Sequence, residues 1–248
     1  MTAPATKTGR LTGVGVGPGD PMLLTRQAVA VLTSVDRIVA PTTGPKDPGR
    51  AETIVRDALG EIEITRLPFD MTPDGNGGAA ARAASHLAAA RSLLPTLSAG
   101  EHVAFITLGD PNVYSTFPSL VGALGELGWH GQVDTVPGIT AFQALAARTG
   151  TVLLDGTESL ALVTALDGTG HLETALEDPD RAVVIYKGGR HLPAIAQLLA
   201  AQGRLEGAVF GERLGLEGER VGRLVDLSEE PAAYLATVIV PPAPADPP

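Results

Sequence analysis

Leu108-Gly-Asp-Pro-Asn-Val-Tyr-Ser-Thr-Phe117 follows the apolar run Val103-Ala-Phe-Ile-Thr107, and its Gly-Asp-Pro has already occurred at Gly19-Asp20-Pro21, after the apolar segment Arg10–Val16. An apolar run closed by Gly-Asp-Pro reads as a strand whose carboxyl end turns into a helix. Aspartate stands at the N-cap, and proline takes the first helical position, where its missing N–H costs nothing. Two such strand ends point to an open α/β sheet, because ligands of these sheets bind outside the carboxyl ends of the strands.

Working outward, apolar runs alternate with amphipathic ones. Strands are expected at 10–16, 37–40, 61–67, 101–107 and 133–136, and helices at 21–34, 51–59, 79–97 and 117–127. The pattern then restarts, with helices at 141–148, 171–176 and 192–201 and strands at 159–164, 182–186, 208–212 and 235–240. Strands alternating with helices imply parallel pairing. The turn-rich Gly128-Trp-His-Gly131 suggests a boundary, dividing an N-terminal α/β domain (10–128) from a C-terminal one (129–240), with Trp129 packing at the junction. Residues 1–9 and the proline-rich 241–248 are expected to be disordered tails.

The composition fits this reading. A hydrophobic fraction of 44% with only 4% aromatics suits an aliphatic sheet covered by helices. The chain has no cysteine, which excludes a disulfide framework, thiolate metal sites and a cysteine nucleophile. Its five histidines show no metal-site spacing, so no protein-held metal is expected; His86 and His130 read as packing or surface residues. A net charge of -10 with no basic cluster argues against nucleic acid. No apolar run approaches the ~20 residues of a membrane span, and no signal-like start is visible, so a cytoplasmic location is expected.

Gly13-Val-Gly-Val-Gly-Pro-Gly19 invites a dinucleotide reading, but the spacing fails from every start: the third glycine would fall on Pro18, Asp20 or Met22. Phosphate seeks free backbone N–H groups and the positive end of a helix. Here an anion would meet Asp20 or Asp110. A ligand with hydroxyls and positive charge suits such a lip, and S-adenosylmethionine carries ribose hydroxyls, an ammonium and a sulfonium.

Several motifs, in order and spacing, resemble the tetrapyrrole (corrin/porphyrin) methylases. They are Gly13-Val-Gly-Val-Gly-Pro-Gly-Asp-Pro21 with Leu23-Leu-Thr25, then Leu108-Gly-Asp-Pro-Asn-Val-Tyr114, Val136-Pro-Gly-Ile-Thr140 and Tyr186-Lys187. The resemblance spans about Arg10 to Val240. It implies a class III methyltransferase-like α/β fold of two domains with the methyl donor in a cleft between them, usually as a homodimer. Gly109-Asp-Pro-Asn-Val-Tyr-Ser-Thr-Phe117, Ala40-Pro41 with Ala51-Glu-Thr-Ile54, and Glu212-Arg-Leu-Gly-Leu-Glu-Gly-Glu-Arg220 resemble the branch that methylates C20 of precorrin-2 in cobalamin synthesis. The sirohaem-forming branch carries an aspartate near the position of Pro41, absent here. Tyr234-Leu-Ala-Thr237 departs mildly from the Tyr-Leu-Ser usual at that place.

Carried over residue by residue, the resemblance sets Pro18, Leu108, Gly109, Asp110, Val113, Thr140 and Ala141 against the donor. Lys187, Ala208 and Thr237 join them from the second half. The residue chemistry agrees in part. Gly109 permits close backbone approach, Asp110 can accept from ribose or ammonium, and Val113 can cover the adenine. Thr140 either contacts the donor or only caps the following helix. Ser115 and Thr116 either reach a ligand or satisfy first-turn backbone groups. Tyr114 is the candidate for touching the tetrapyrrole, with a catalytic part open to it. Lys46, Arg50, Arg82, Arg190 and Arg213 are the cations available for substrate carboxylates, or else solvated surface charges. Two alternatives stay open: another ring carbon as acceptor, or a noncatalytic S-adenosylmethionine-binding protein.

Overall fold

The computed structural model describes residues 9–44, 48–69, 78–227 and 232–243. The chain forms two compact units, residues 1–140 and 141–248. The first holds a sheet of β1 (Arg10–Gly15), β2 (Arg37–Thr42), β3 (Ile64–Pro68), β4 (His102–Thr107) and β5 (Gln132–Val136) in the order β3-β2-β4-β1-β5. All its pairings are parallel. The units divide after β5 rather than at the Gly128–Gly131 turn before it, because β5 completes the sheet by pairing along β1 from Arg10↔Gln132 to Val14↔Val136.

Period-two alternation along the strands feeds two apolar layers. Leu11, Val103 and Phe105 pack with α3 (Gly78–Ser98) and α4 (Phe117–Glu126), where Trp129 is also buried. Val14, Val16, Ala104 and Ile106 pack with α1 (Arg26–Leu32) and α2 (Arg50–Leu59) on the opposite face. Gly13 leaves room for α4: a Cβ there would lie 2.7 Å from the Phe117 ring. His86 stands against the Phe69 ring, centroids 5.6 Å apart, while His130 is exposed.

One charged group is sealed into this unit. Glu52 is fully buried on α2 and accepts from Arg66 Nε at 2.7 Å, Arg66 Nη2 at 2.9 Å and Arg56 Nε at 3.0 Å. Because Arg66 lies on β3, the carboxylate ties α2 to the sheet edge. The Arg66 guanidinium, against the opposing effect of burial and with help from Arg56, holds the Glu52 carboxyl below its ordinary value.

The second unit is mixed. Its sheet runs β6-β7-β10-β8-β9, with β6 (Ser159–Thr164) parallel to β7 (Arg181–Tyr186). Then β10 (Thr237–Val240) runs antiparallel to both β7 and β8 (Val209–Glu212), and β8 antiparallel to β9 (Arg220–Arg223). The all-parallel expectation is therefore corrected here. Neither β9 nor α8 (Leu224–Leu227) has a sequence signature: Arg-Val-Gly-Arg is a one-sided edge strand without an apolar run. On one face α6 (Leu172–Leu176) and α7 (Leu192–Ala201) cover Val183, Ile185, Phe210 and Val238. The other face takes α5 (Ala141–Thr149), whose Leu145 would meet a Cβ at Gly211 at 2.8 Å.

Two further expectations are revised. The helix expected over 21–34 is a single 3-10 turn, Pro21–Leu23, and then α1, because Leu24 is extended (ψ 132) and Thr25 caps the new start by accepting from Ala28 N at 3.0 Å. Gly9 and Pro241–Ala243 are not tail: Gly9 is buried, buried Arg204 donates to Pro241 O at 2.6 Å, and Ala243 N donates to Pro179 O at 2.8 Å. The rest of both termini lies outside the described residues.

Candidate active site at the carboxyl ends of the strands

In the first unit the ends of β1, β4 and β5 converge through bare backbone. Gly109 N donates to Gly17 O at 2.8 Å and Gly17 N to Gly109 O at 3.3 Å, an isolated antiparallel bridge joining the two strand ends. Both glycines adopt positive φ (79° and 69°), which a side chain would strain. A Cβ on Gly15 would lie 2.6 Å from Gly109 O and Gly138 N, and one on Gly138 only 2.0 Å from Gly109 O. Glycine is therefore required at both places by close approach alone.

The two aspartates bind this framework. Asp20 Oδ1 accepts from Met22 N at 2.9 Å; Asp110 Oδ1 accepts from Asn112 N at 2.8 Å, and its Oδ2 from Gly138 N at 3.0 Å. Asp110 thus fastens the β5 exit to the β4 exit across 28 residues of sequence. Asp20 caps a 3-10 turn as expected of an N-cap, but Asp110 does not cap α4. Pro111 and Asn112 form a turn closed by Val113 N to Asp110 O at 3.3 Å, and α4 begins only at Phe117. Both Asp110 oxygens already hold main-chain N–H groups, so its first task is structural and not the reception of ribose or ammonium alone.

The remaining first-unit candidates separate by role. Ser115 Oγ accepts from Phe117 N at 3.0 Å, so it serves the helix start, whereas Thr116 occupies the N-cap without a side-chain cap bond. Tyr114 is 47% exposed in a left-handed conformation (φ 48°), an uncommon state for a bulky residue. Pro18 is buried, Leu108 and Val113 are half-buried, and Thr140 is buried where the β5 exit ends.

In the second unit, Tyr186 of β7, Gly211 of β8 and Thr237 of β10 stand in one row, since Thr237 pairs with both of the others. Lys187 follows directly at φ 59°, and Arg213 follows Glu212 at φ 53°. Burial pushes the Lys187 ammonium below its ordinary pKa. Arg190 sits in the next 3-10 turn, Gly189–His191. The Tyr186 hydroxyl accepts from Phe142 N at 3.2 Å, next to Ala141, the first residue of α5. Ala208 does not join this row: it lies three residues before Gly211, about 10 Å away along the strand. Of the basic candidates, Arg50 opens α2 and Arg82 is exposed on α3, while Lys46 lies outside the described residues.

The family model for Tetrapyrrole (Corrin/Porphyrin) Methylases matches residues 10–227. The chain belongs to this family. Among curated relatives, a cobalt-precorrin-2 C(20)-methyltransferase of Salmonella typhimurium is 34% identical, covering 94% of this chain and 96% of the relative. A precorrin-2 C(20)-methyltransferase of a Sinorhizobium species is also 34% identical, covering 94% and 95%. Among solved structures, a uroporphyrin-III C-methyltransferase from Thermus thermophilus complexed with S-adenosylhomocysteine aligns with a TM-score of 0.63 at 24% identity, covering 93% of this chain and 97% of that one. The methyltransferase CobJ aligns at 0.66 with 22% identity, covering 95% of each. These likenesses give the tetrapyrrole methylase fold to both units of this chain.

Three residues of the framework are absent from the sequence-derived site: Gly15, Gly17 and Gly138. The alternation of glycine at 13, 15 and 17 was the signal for Gly15 and Gly17, since a strand that repeatedly gives up its side chains marks close backbone approach.

Proposed function

We propose that this methylase transfers a methyl group from S-adenosylmethionine to C20 of precorrin-2 or its cobalt-bearing counterpart in corrin-ring synthesis. The observation that carries the acceptor is the 34% identity over 94% of the chain to relatives with that named activity. Donor chemistry is supported by the strand-end lip. Its side chains take main-chain N–H groups internally, Asp20 at Met22, Asp110 at Asn112 and Gly138, and Thr25 at Ala28. A phosphate would meet the negative charge of Asp20 and Asp110, whereas a cationic nucleoside gains from both carboxylates.

When bound, S-adenosylmethionine supplies an electrophilic methyl group on sulfonium sulfur. Its transfer to C20 would leave S-adenosylhomocysteine, with the C20 proton passing to water. Such an in-line displacement disperses positive charge, so alignment and exclusion of water account for most of the acceleration. Gly109 and the Gly15–Gly138 contact hold rigid backbone against the donor, Asp110 keeps that backbone assembled, and Pro18, Leu108 and Val113 supply apolar cover. Lys187 and Thr237 contribute donor contacts from the second unit. Tyr114, exposed on the same lip, meets the tetrapyrrole, and Arg190 and Arg213 meet its carboxylates. The enzyme acts as a homodimer in the cytoplasm.

Incubation with S-adenosylmethionine and either precorrin-2 or cobalt-precorrin-2 tests this. One added methyl group by mass, at C20 by carbon NMR with labelled methyl, is expected. Donor binding without turnover of either acceptor would leave the noncatalytic alternative standing.

A further inference from the structure

Lys187 and Arg213 are the two non-glycine residues of the second unit with left-handed φ among the described residues, and each directly follows the last residue of a strand, β7 and β8. Both strands run antiparallel to β10, so their carboxyl ends lie at the same end of the sheet. A side-chain-bearing residue in this conformation costs on the order of 1–2 kcal/mol and persists only where its surroundings over-determine it. The surroundings of Lys187 are unusually specific. Gly189 is pressed against a returning strap of backbone: a Cβ on it would lie 2.1 Å from Ala233 O and 2.6 Å from Ala232 O. Ala232 N donates to Gly189 O at 2.9 Å. The strap leads through Ala236, whose N–H donates to Ala233 O at 2.9 Å, into Thr237 of β10.

What holds the strap is a carboxylate. Glu212, 6% exposed at the end of β8, accepts from Ala233 N through Oε2 and from Arg220 Nε through Oε1, both at 2.5 Å. The Arg220 guanidinium in turn lies over the Phe210 ring, 5.7 Å from its centroid. A chain of direct contacts therefore runs from Glu212 to Ala233, Ala232, Gly189 and the Lys187 turn. We propose that Glu212 is a positioning residue: by pinning the Ala232–Ala233 strap it locks the Lys187–Gly189 turn and the start of β10 in the geometry that meets the donor. This inference rests on the reading of Lys187 as a donor contact, and its test separates the two.

The test compares wild type with K187A, E212A, E212Q and G189A by calorimetric titration with S-adenosylhomocysteine and by amide hydrogen exchange of the segment 187–191. E212A removes the acceptor of the strap. It is expected to lower affinity about tenfold, the factor for one lost hydrogen bond to a charged acceptor, and to speed exchange across 187–191. E212Q keeps a carbonyl acceptor for Ala233 N and is expected to restore most of both. G189A leaves Glu212 intact but drives the turn off the strap, so it should weaken binding as K187A does, which keeps the test alive if E212A does not fold. A purely structural Glu212 would lower the melting temperature and leave the affinity of the folded protein unchanged. If K187A weakens binding while E212A and G189A match wild type in affinity and exchange, the positioning role is overturned. If E212A speeds exchange while K187A binds normally, the link from Glu212 to the turn is upheld and the donor assignment of Lys187 falls.

Discussion

Replacing Gly138 by alanine probes the backbone framework directly. The added Cβ would lie 2.0 Å from Gly109 O and 2.8 Å from Gly15 C, and none of these is the flexible end of a side chain. To reach ordinary contact near 3.4 Å the β5 exit must move by more than about 1 Å, since closely packed interiors have no slack to absorb the change. Overpacking of this kind costs about 1–3 kcal/mol. The same movement stretches the Gly138 N–H to Asp110 bond from 3.0 Å beyond bonding range. A hydrogen bond to a charged partner is worth about 1.5–3 kcal/mol. The total is about 2.5–6 kcal/mol, and for a chain of this length each kcal/mol shifts the melting temperature by about 2–4 °C. G138A should therefore melt roughly 5 °C or more below wild type by circular dichroism. At a temperature where it remains folded, it should bind S-adenosylhomocysteine at least tenfold more weakly by calorimetry. A variant that melts within about 2 °C of wild type and binds normally would refute the claim that close backbone approach builds this site.

Three other outcomes follow from the same structure. D110A frees the N–H groups of Asn112 and Gly138 together and should weaken S-adenosylhomocysteine binding by tenfold or more in calorimetry, with D110N, which retains one acceptor, intermediate. G122A in α4 is expected to act in the opposite direction, because nothing lies within 4 Å of the new Cβ and the helix gains about 0.5–1 kcal/mol, read as a higher melting temperature. Glu52 makes stability depend on acid. Its folded pKa lies below the ordinary value, so its contribution is fully present above about pH 4.5 and is lost as pH falls through the folded value. Melting curves from pH 7 to 3 should show this loss. It should be much reduced in E52Q, and E52A should cost about 2–3 kcal/mol at pH 7, less than for a fully buried pair, since Arg56 and Arg66 retain 37% and 27% exposure.

Which segments become strands and helices was largely legible in the sequence. The strand Ser159–Thr164 and the helix Leu192–Ala201 have the limits expected from periodicity, because burial of one face repeats locally every two or 3.6 residues. Two glycine-rich strand ends carrying aspartates were legible for the same reason, as was the membership that those motifs implied. Tertiary structure alone decided the distant partners of Asp110 and Glu212. Asp110 finds its second partner 28 residues away at Gly138, and Glu212 finds Ala233 21 residues away; the antiparallel β10 is seated between β7 and β8 by the fold. A side chain's preference for helix or strand is settled by its neighbours in sequence, but the partner of a buried charge is whichever main-chain N–H the sheet brings within reach. No local pattern records that choice.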